Sequence, residues 1–338
     1  MNRLPAVDAL RGAAALAVVL YHYTGFFALL EVPVSAAGRA ALAVTRYGHL
    51  GVPVFFALSG YVIALTAHRY RFTPGTGCRF VLRRLVRIAP PYWAMLTLIT
   101  LSILAGHAAG LFKNTTVSFD QLLAHMVYAQ EVLGYAALDV AYWTLCLEVQ
   151  FYLVFTASAV ALRARGAGAR VAWFAALTAA SVAVDVTGAV PHPWFPRLWY
   201  QFGVGVLAYE AGHSRAARGV LTLLLPALLA LGLYRASAAD VTVALVAVVL
   251  VFCEARPVAR AGRSAVLLAL GKISYSLYLG HGLVGLALAA WLRRDAARSE
   301  ASVWLAIAAA TAVAIGFASL LYLTCEKAAI RLSRRVKV

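Results

Sequence analysis

Acidic side chains are scarce in this sequence: 13 Asp and Glu stand against 30 Lys and Arg in 338 residues, and charged residues make up 13% of the chain. A soluble fold carries about a quarter charged residues, so this chain cannot coat itself against water in the ordinary way. Cysteine is scarcer still. Cys78, Cys146, Cys253 and Cys325 form no C-x-x-C pair, and three of them lie inside apolar stretches. That excludes a zinc ribbon and a disulfide framework and leaves four free thiols, with no metal site expected. Long polar stretches are missing too, so no sizeable soluble domain fits. No internal repeat is found, which weighs against a transporter built from two related halves.

What the chain does have is apolar surface: 63% of residues are hydrophobic and the mean hydropathy is +0.82. A hydrocarbon core about 30 Å thick takes about 20 apolar residues per helical crossing, so this length supplies about ten crossings with short loops. Apolar runs lie at 9–29, 50–67, 91–110, 141–162, 171–187, 197–212, 219–235, 238–253, 268–291 and 302–324. The first follows a short basic start and resembles a signal peptide. It continues past Leu20 with no small-x-small cleavage site, so it is expected to be a membrane helix. Gly60, Pro226, Gly280 and Gly282 inside the runs are tolerable, because neighbouring helices repair backbone bonding in a packed bundle. The expected fold is all-α: one polytopic transmembrane domain over residues 1–338, about ten helices.

The net charge of +17 would suggest nucleic acid in a soluble protein. Here the basic residues cluster between apolar runs, so topology explains them, and the expected partner is the bilayer rather than nucleic acid. Arg79, Arg83, Arg84 and Arg87, then Arg163, Arg165 and Arg170, then Arg256, Arg260 and Arg263, then Arg331, Arg334 and Arg335 fall in alternate loops. The intervening loops hold most acids, among them Glu31, Asp120, Glu131, Asp139, Asp240, Asp295 and Glu300. The positive-inside rule then places both termini in the cytoplasm. The segment 111–140 is the longest outer loop. It carries Asn114-Thr115-Thr116 and an apolar patch from His125 to Ala129, and is expected to hold a short interfacial helix.

Polar residues inside the runs are the candidates for chemistry. Arg11 and His22 are eleven residues apart on the first run, close to three helical turns and so on one face, with His22 ~16 Å further along. Ionisable groups at such depth are costly and mark function by default, although His22 also suits interior hydrogen bonding and Arg11 suits snorkelling to the surface. Ser59 lies ~14 Å and Glu148 ~10 Å inward from the outer ends of their runs, and His281 lies ~20 Å from the inner end of its own. With His22 they converge on the middle-to-outer layer of the membrane. A membrane carboxylate such as Glu148 requires a partner, whether Arg, His or a substrate hydroxyl; anchoring a structural hydrogen bond is its simpler role. Arg83, Arg84 and Arg87 sit at helical spacing on the cytoplasmic side before Pro90. Guanidinium groups pair bidentately with phosphate, so the cluster suits a phosphate-rich ligand as well as the topology rule.

Five ordered segments carry a family resemblance. The Arg-x10-His pair on the first helix is similar to a hallmark of the acyltransferase-3 family. Gly51-Val52-Pro53-Val54-Phe55-Phe56-Ala57-Leu58-Ser59-Gly60-Tyr61 resembles its G-V-x-x-F-F-x-L-S-G-[FY] segment, and Phe80-Val81-Leu82-Arg83-Arg84-Leu85-Val86-Arg87-Ile88-Ala89-Pro90-Pro91-Tyr92 its F-x-x-R-R-x-x-R-I-x-P-x-Y. Trp143-Thr144-Leu145-Cys146-Leu147-Glu148-Val149-Gln150-Phe151-Tyr152 resembles W-[ST]-L-x-x-E-x-x-F-Y, and Leu270-Gly271-Lys272-Ile273-Ser274-Tyr275-Ser276-Leu277-Tyr278-Leu279-Gly280-His281 resembles L-G-x-[IV]-S-Y-[ST]-[IL]-Y-L-x-H. Two departures stand out: Val52-Pro53 replaces the frequent Val-Asp or Val-Glu, and Glu326-Lys327-Ala328 lacks the proline common after the Glu-basic pair.

The resemblance implies an integral enzyme of the bacterial cytoplasmic membrane. It would move an acyl group, acetyl by default, from acyl-CoA to a hydroxyl of a polysaccharide, a lipid-linked sugar or a glycosylated small molecule such as a macrolide. It implies catalytic roles for His22, as general base or acyl carrier, and for Glu148. Arg11, Arg83, Arg84 and Arg87 would bind acyl-CoA, and Ser59, Tyr61, Tyr152 and His281 would bind substrate. The competing class is an exporter or transporter of a polar or sugar-containing solute without acyl transfer. A silent relative that only binds glycolipid is a third.

Overall fold

In a computed structural model of the protein, residues 4–29, 32–109, 116–190, 194–252, 264–292 and 299–338 are described. Glu31, Asn114, Thr115, Cys253, Arg256, Arg260, Arg263 and Asp295, named above, lie outside them. Every regular element among the described residues is helical. In order these are α1 (Pro5–Thr24), α2 (Ala36–Thr45), α3 (Gly51–Ala67), α4 (Pro74–Ala108), α5 (Phe119–Met126), α6 (Tyr142–Ala161), α7 (Ala167–Thr187), α8 (Phe195–Ala211), α9 (Arg215–Tyr234), α10 (Ala238–Val251), α11 (Ala265–Leu292), α12 (Glu300–Leu321) and α13 (Lys327–Ser333).

Each of the ten apolar runs lies on one of these helices. Among the described residues, seven helices are long and apolar enough to cross a membrane: Ala36–Ala67, Pro74–Ala108, Tyr142–Ala161, Ala167–Thr187, Arg215–Tyr234, Ala265–Leu292 and Glu300–Ser333. The chain is thus a multi-pass integral membrane protein. The other three runs fall on α1, whose 20 residues include Asp8, Arg11 and His22, on α8 with 17 residues, and on α10 with 14. The segment 111–140 does hold a short helix, α5, which exposes Phe119, Leu123 and Met126.

One boundary differs from the sequence expectation. The run at 91–110 is only the second half of α4, which starts at Pro74, so Arg79, Arg83, Arg84 and Arg87 lie on a helix rather than in a loop. Its start is built locally: the Thr73 hydroxyl accepts from the Thr76 N–H, the Thr76 hydroxyl accepts from the Thr73 N–H, and proline occupies the first turn. Pro90 and Pro91 sit inside this helix and donate nothing to the carbonyls one turn back. Hydropathy misses the first half because its arginines mask a regular helical frame.

Backbone contact between helix pairs sets where the polar residues meet. α1 lies against α11 so closely that a Cβ on Gly271 would stand 2.0 Å from the Asp8 carbonyl oxygen, and one on Gly12 would stand 2.3 Å from that of Leu267. α3 meets α8 in the same way through Gly60 and Gly205. In lipid, where the hydrophobic effect cannot drive helices together, such small-residue seams supply the packing. Gly271→Val therefore separates α1 from α11 and costs about 1–3 kcal/mol by overpacking. The expected result is a lower melting temperature in detergent, with Gly316→Val unchanged because nothing stands within 4 Å of that site. Further out, Asp185 takes Arg197 at 2.6 Å and Arg235 at 2.7 Å, and the Tyr200 hydroxyl donates to Asp240 at 2.5 Å. These bonds tie together the ends of α7, α8, α9 and α10.

Candidate functional site

α1, α3, α4, α6 and α11 line an open cavity, whose space unfilled by atoms, about 920 Å³, includes the solvent at its mouth. Arg11, Arg84 and Arg87 line it, as do Ser59, Glu148 and Tyr152; Thr144, Ser274, Tyr275 and Tyr278 complete its polar wall among apolar side chains such as Phe55 and Phe56. Arg84 and Arg87 share a face of α4 through their three-residue spacing. No ion pair joins Arg11, Arg84 or Arg87 to a carboxylate among the described residues. The two nearby acids are held otherwise. Glu148 Oε1 accepts from Ser59 at 2.9 Å and from the Tyr152 hydroxyl, and Glu326 Oε2 accepts from Ser276 at 2.6 Å. Half-buried guanidinium groups facing a shared cavity can take an anion, since unpaired charge out of water is costly.

Arg83 and Tyr61 point elsewhere. The Arg83 guanidinium donates to the Tyr70 hydroxyl at 3.1 Å, and Tyr61 packs edge-on against Tyr209 of α8 with ring centres 5.6 Å apart. Neither lines the cavity.

His22 and His281 form a second centre beyond the end of the cavity that Thr144 and Tyr278 line. His281 is fully buried, and its Nδ1 lies 2.8 Å from the Tyr278 carbonyl, so that nitrogen carries the proton. Its Nε2 is then an acceptor, 3.1 Å from His22 Nδ1, which also lies 3.0 Å from the Val18 carbonyl. One tautomer of each ring satisfies all three contacts: His22 Nδ1–H donates, and His22 Nε2 is left with its lone pair. The Tyr23 hydroxyl donates to the His281 carbonyl at 2.8 Å and steadies the same turn of α11.

Glu148 does not contact His22. It lies one turn inward of Thr144, whose hydroxyl bonds that of Tyr278 at 2.9 Å, and Tyr278 lies three residues inward of His281. The separation along the bundle is roughly 10 Å. Six polar groups are not singled out by depth: Thr144, Ser274, Tyr275, Ser276, Tyr278 and Glu326. Glu326 closes a π-turn, Tyr322–Glu326, at the end of α12, a geometry that recurs at functional sites. A lone acid ending the last apolar run was the available signal.

A third feature sits at the depth of the histidine pair. Asp139, in the segment before α6, is 8% exposed, and burial pushes its carboxyl up to about 7. Its Oδ1 accepts from the Ala141 N–H at 3.1 Å, and the carboxylate rests on Gly282, where a Cβ would stand 1.8 Å from Oδ2.

Comparison with known proteins places this arrangement in context. The profile described as "Acyltransferase domain" matches residues 4–323. The chain is 30% identical over 380 residues to Acyltransferase MdmB of Streptomyces mycarofaciens, covering 98% of this chain and 93% of that protein. It is 34% identical over 115 residues to the exopolysaccharide production protein ExoZ of Rhizobium meliloti (strain 1021), a match that spans 33% of this chain and only 34% of that relative. No solved structure matches.

Proposed function

The chain belongs to the acyltransferase-domain family and is a multi-pass membrane O-acyltransferase, and from that premise we propose that it transfers an acyl group, acetyl by default, from acyl-CoA to a carbohydrate hydroxyl. The acceptor is a polysaccharide, a lipid-linked sugar or a glycosylated small molecule, and the enzyme works in the bacterial cytoplasmic membrane. The observation that carries this reading is the trio of half-buried guanidinium groups, Arg11, Arg84 and Arg87, that share one cavity with a single carboxylate, Glu148, and form no ion pair among the described residues.

Phosphates of the donor pair with those guanidinium groups through charge-assisted, bidentate hydrogen bonds. The slender pantetheine arm runs outward past Ser59 and Glu148 toward Thr144 and Tyr278, bringing the thioester to His22, ~16 Å beyond Arg11 along α1. The acceptor hydroxyl gives its proton to His22 Nε2 as its oxygen attacks the thioester carbonyl. The C–S bond then breaks, and the leaving thiolate takes the proton from His22. His281 holds His22 in the required tautomer and accepts a hydrogen bond from the imidazolium as it forms. Glu148, tied to Ser59 and Tyr152 on the cavity wall, orients the arm.

The experiment is a transfer assay on purified protein in proteoliposomes, with radiolabelled acetyl-CoA on the arginine side and a glycan extract on the other. Release of free CoA together with label on glycan is expected. Movement of intact solute without CoA release overturns the reading in favour of a transporter.

A further inference from the structure

Asp139 is built into its place more carefully than a helix cap requires. One oxygen closes an Asx turn onto Ala141 at the start of α6. The other has no donor among the described residues, yet α11 gives up a side chain at Gly282 to admit it. Gly282 follows His281, so the carboxylate lies in the layer of the His22–His281 pair. Around it are the phenols of Tyr23 on α1, Tyr92 on α4, Tyr142 on α6 and Tyr278 on α11, all near enough to feel its charge. The imidazoles nearby are His281 and His125, the latter accepting from the Leu138 N–H at 3.1 Å. No ion pair reaches Asp139 among the described residues.

The same layer is short of hydrogen bonds. Among the described residues the hydroxyls of Tyr92 and Tyr142 and the Gln130 side-chain oxygen are buried without a partner. Tyr128, stacked on Tyr92 at 4.7 Å, also holds a left-handed backbone at φ 58°. Buried polar groups are nearly always paired, so a cluster of orphans beside a carboxylate suits a polar ligand. Strained backbone concentrates where ligands are clamped. A polyhydroxylated ring supplies donors to a carboxylate and acceptors to phenols at once.

We propose that Asp139 anchors the acceptor: its carboxylate receives one hydroxyl of the carbohydrate, and a neighbouring hydroxyl of the same sugar is thereby presented to His22. This rests on the acyl-transfer reading above. It assigns the recognition of sugar to the outer end of α6 and α11, separate from the arginine-lined donor cavity. Gly282 is part of the site, because any side chain there displaces the carboxylate.

The test uses full-length protein in detergent, labelled acetyl-CoA and methyl glycosides of gluco, galacto and manno configuration as acceptors. Asp139→Asn retains the Asx turn, since asparagine makes it equally well, but removes the charge. The expected result is an acceptor KM raised at least tenfold, with the donor KM and melting temperature unchanged. In the wild type the acceptor KM falls as pH rises through about 7, where the carboxylate forms, and in Asp139→Asn it does not. Asp120→Asn, an exposed outer acid bonded to Tyr135, serves as the control that leaves both KM values alone. An unchanged acceptor KM in Asp139→Asn, or a lowered melting temperature with both KM values moved together, overturns the proposal and leaves Asp139 a cap beside ordered water. Absence of CoA release by the wild type defeats the acyl-transfer reading itself, which is a separate outcome.

Discussion

His22→Ala abolishes acyl transfer from labelled acetyl-CoA while the protein still inserts and melts normally. The expected loss in kcat is about 10²–10⁴, the range for removing a positioned general base. The structure sharpens this by naming the atom: with Nδ1 donating to His281 and the Val18 carbonyl, only Nε2 can take the acceptor's proton. His281→Ala should be milder. It removes one hydrogen bond to a group that becomes charged, worth about 1.5–3 kcal/mol, so a loss of roughly tenfold to a hundredfold follows. Because His281 is the acceptor of that bond, His281→Gln, whose side-chain oxygen can accept, restores part of the rate. Equal losses in His281→Ala and His281→Gln with normal melting would leave no role for the imidazole pair, and retained turnover in His22→Ala would remove the base. If His22 instead accepts the acyl group, rapid quenching traps label on the wild-type protein and none on His22→Ala.

Arg84→Ala and Arg87→Ala are expected to act on the other end of the reaction. Each removes a charge-assisted contact to phosphate worth about 1.5–3 kcal/mol, which raises the donor KM roughly tenfold to a hundredfold. The acceptor KM stays where it was. Lysine at either position restores charge without the bidentate fork, so recovery is partial. Arg83→Ala is the informative contrast. Its guanidinium is engaged by Tyr70 outside the cavity, so the donor KM should move only about twofold, as for a substitution away from the binding site. A large effect of Arg83→Ala with small effects of Arg84→Ala and Arg87→Ala would sink the cavity as the donor site. Isothermal titration with CoA, which lacks the acyl group, reads the same contacts without turnover.

How much of the site was legible depends on which quantity local sequence encodes. Depth is local: a rise of 1.5 Å per residue and the ends of each apolar run place Ser59, Glu148, His22 and His281 in the membrane interior before any fold is known. Rotation is not local. Tyr61 lies two residues from Ser59, about 200° around α3, so a shared motif puts one in the cavity and the other against Tyr209. The same holds on α4, where Arg84 and Arg87 line the cavity and Arg83, one position earlier, meets Tyr70. Ser276 and Tyr278 were hidden because hydroxyls inside an apolar run look like any other interior glue.

Hydropathy, charge alternation and helical period by themselves determined that this chain crosses the bilayer many times as helices and carries its polar side chains at a common depth. Those properties follow from the cost of exposing backbone and charge to lipid, which each segment meets alone. The tertiary structure alone decided which polar groups meet. The glycine seams between α1 and α11 and between α3 and α8 fix helix rotation and offset, and these turn His22 toward His281 and Glu148 toward Ser59 and Tyr152. They also open the gap at Gly282 that Asp139 fills. A partner chosen across helices by close packing is a property of two surfaces together, and neither strand of sequence carries it.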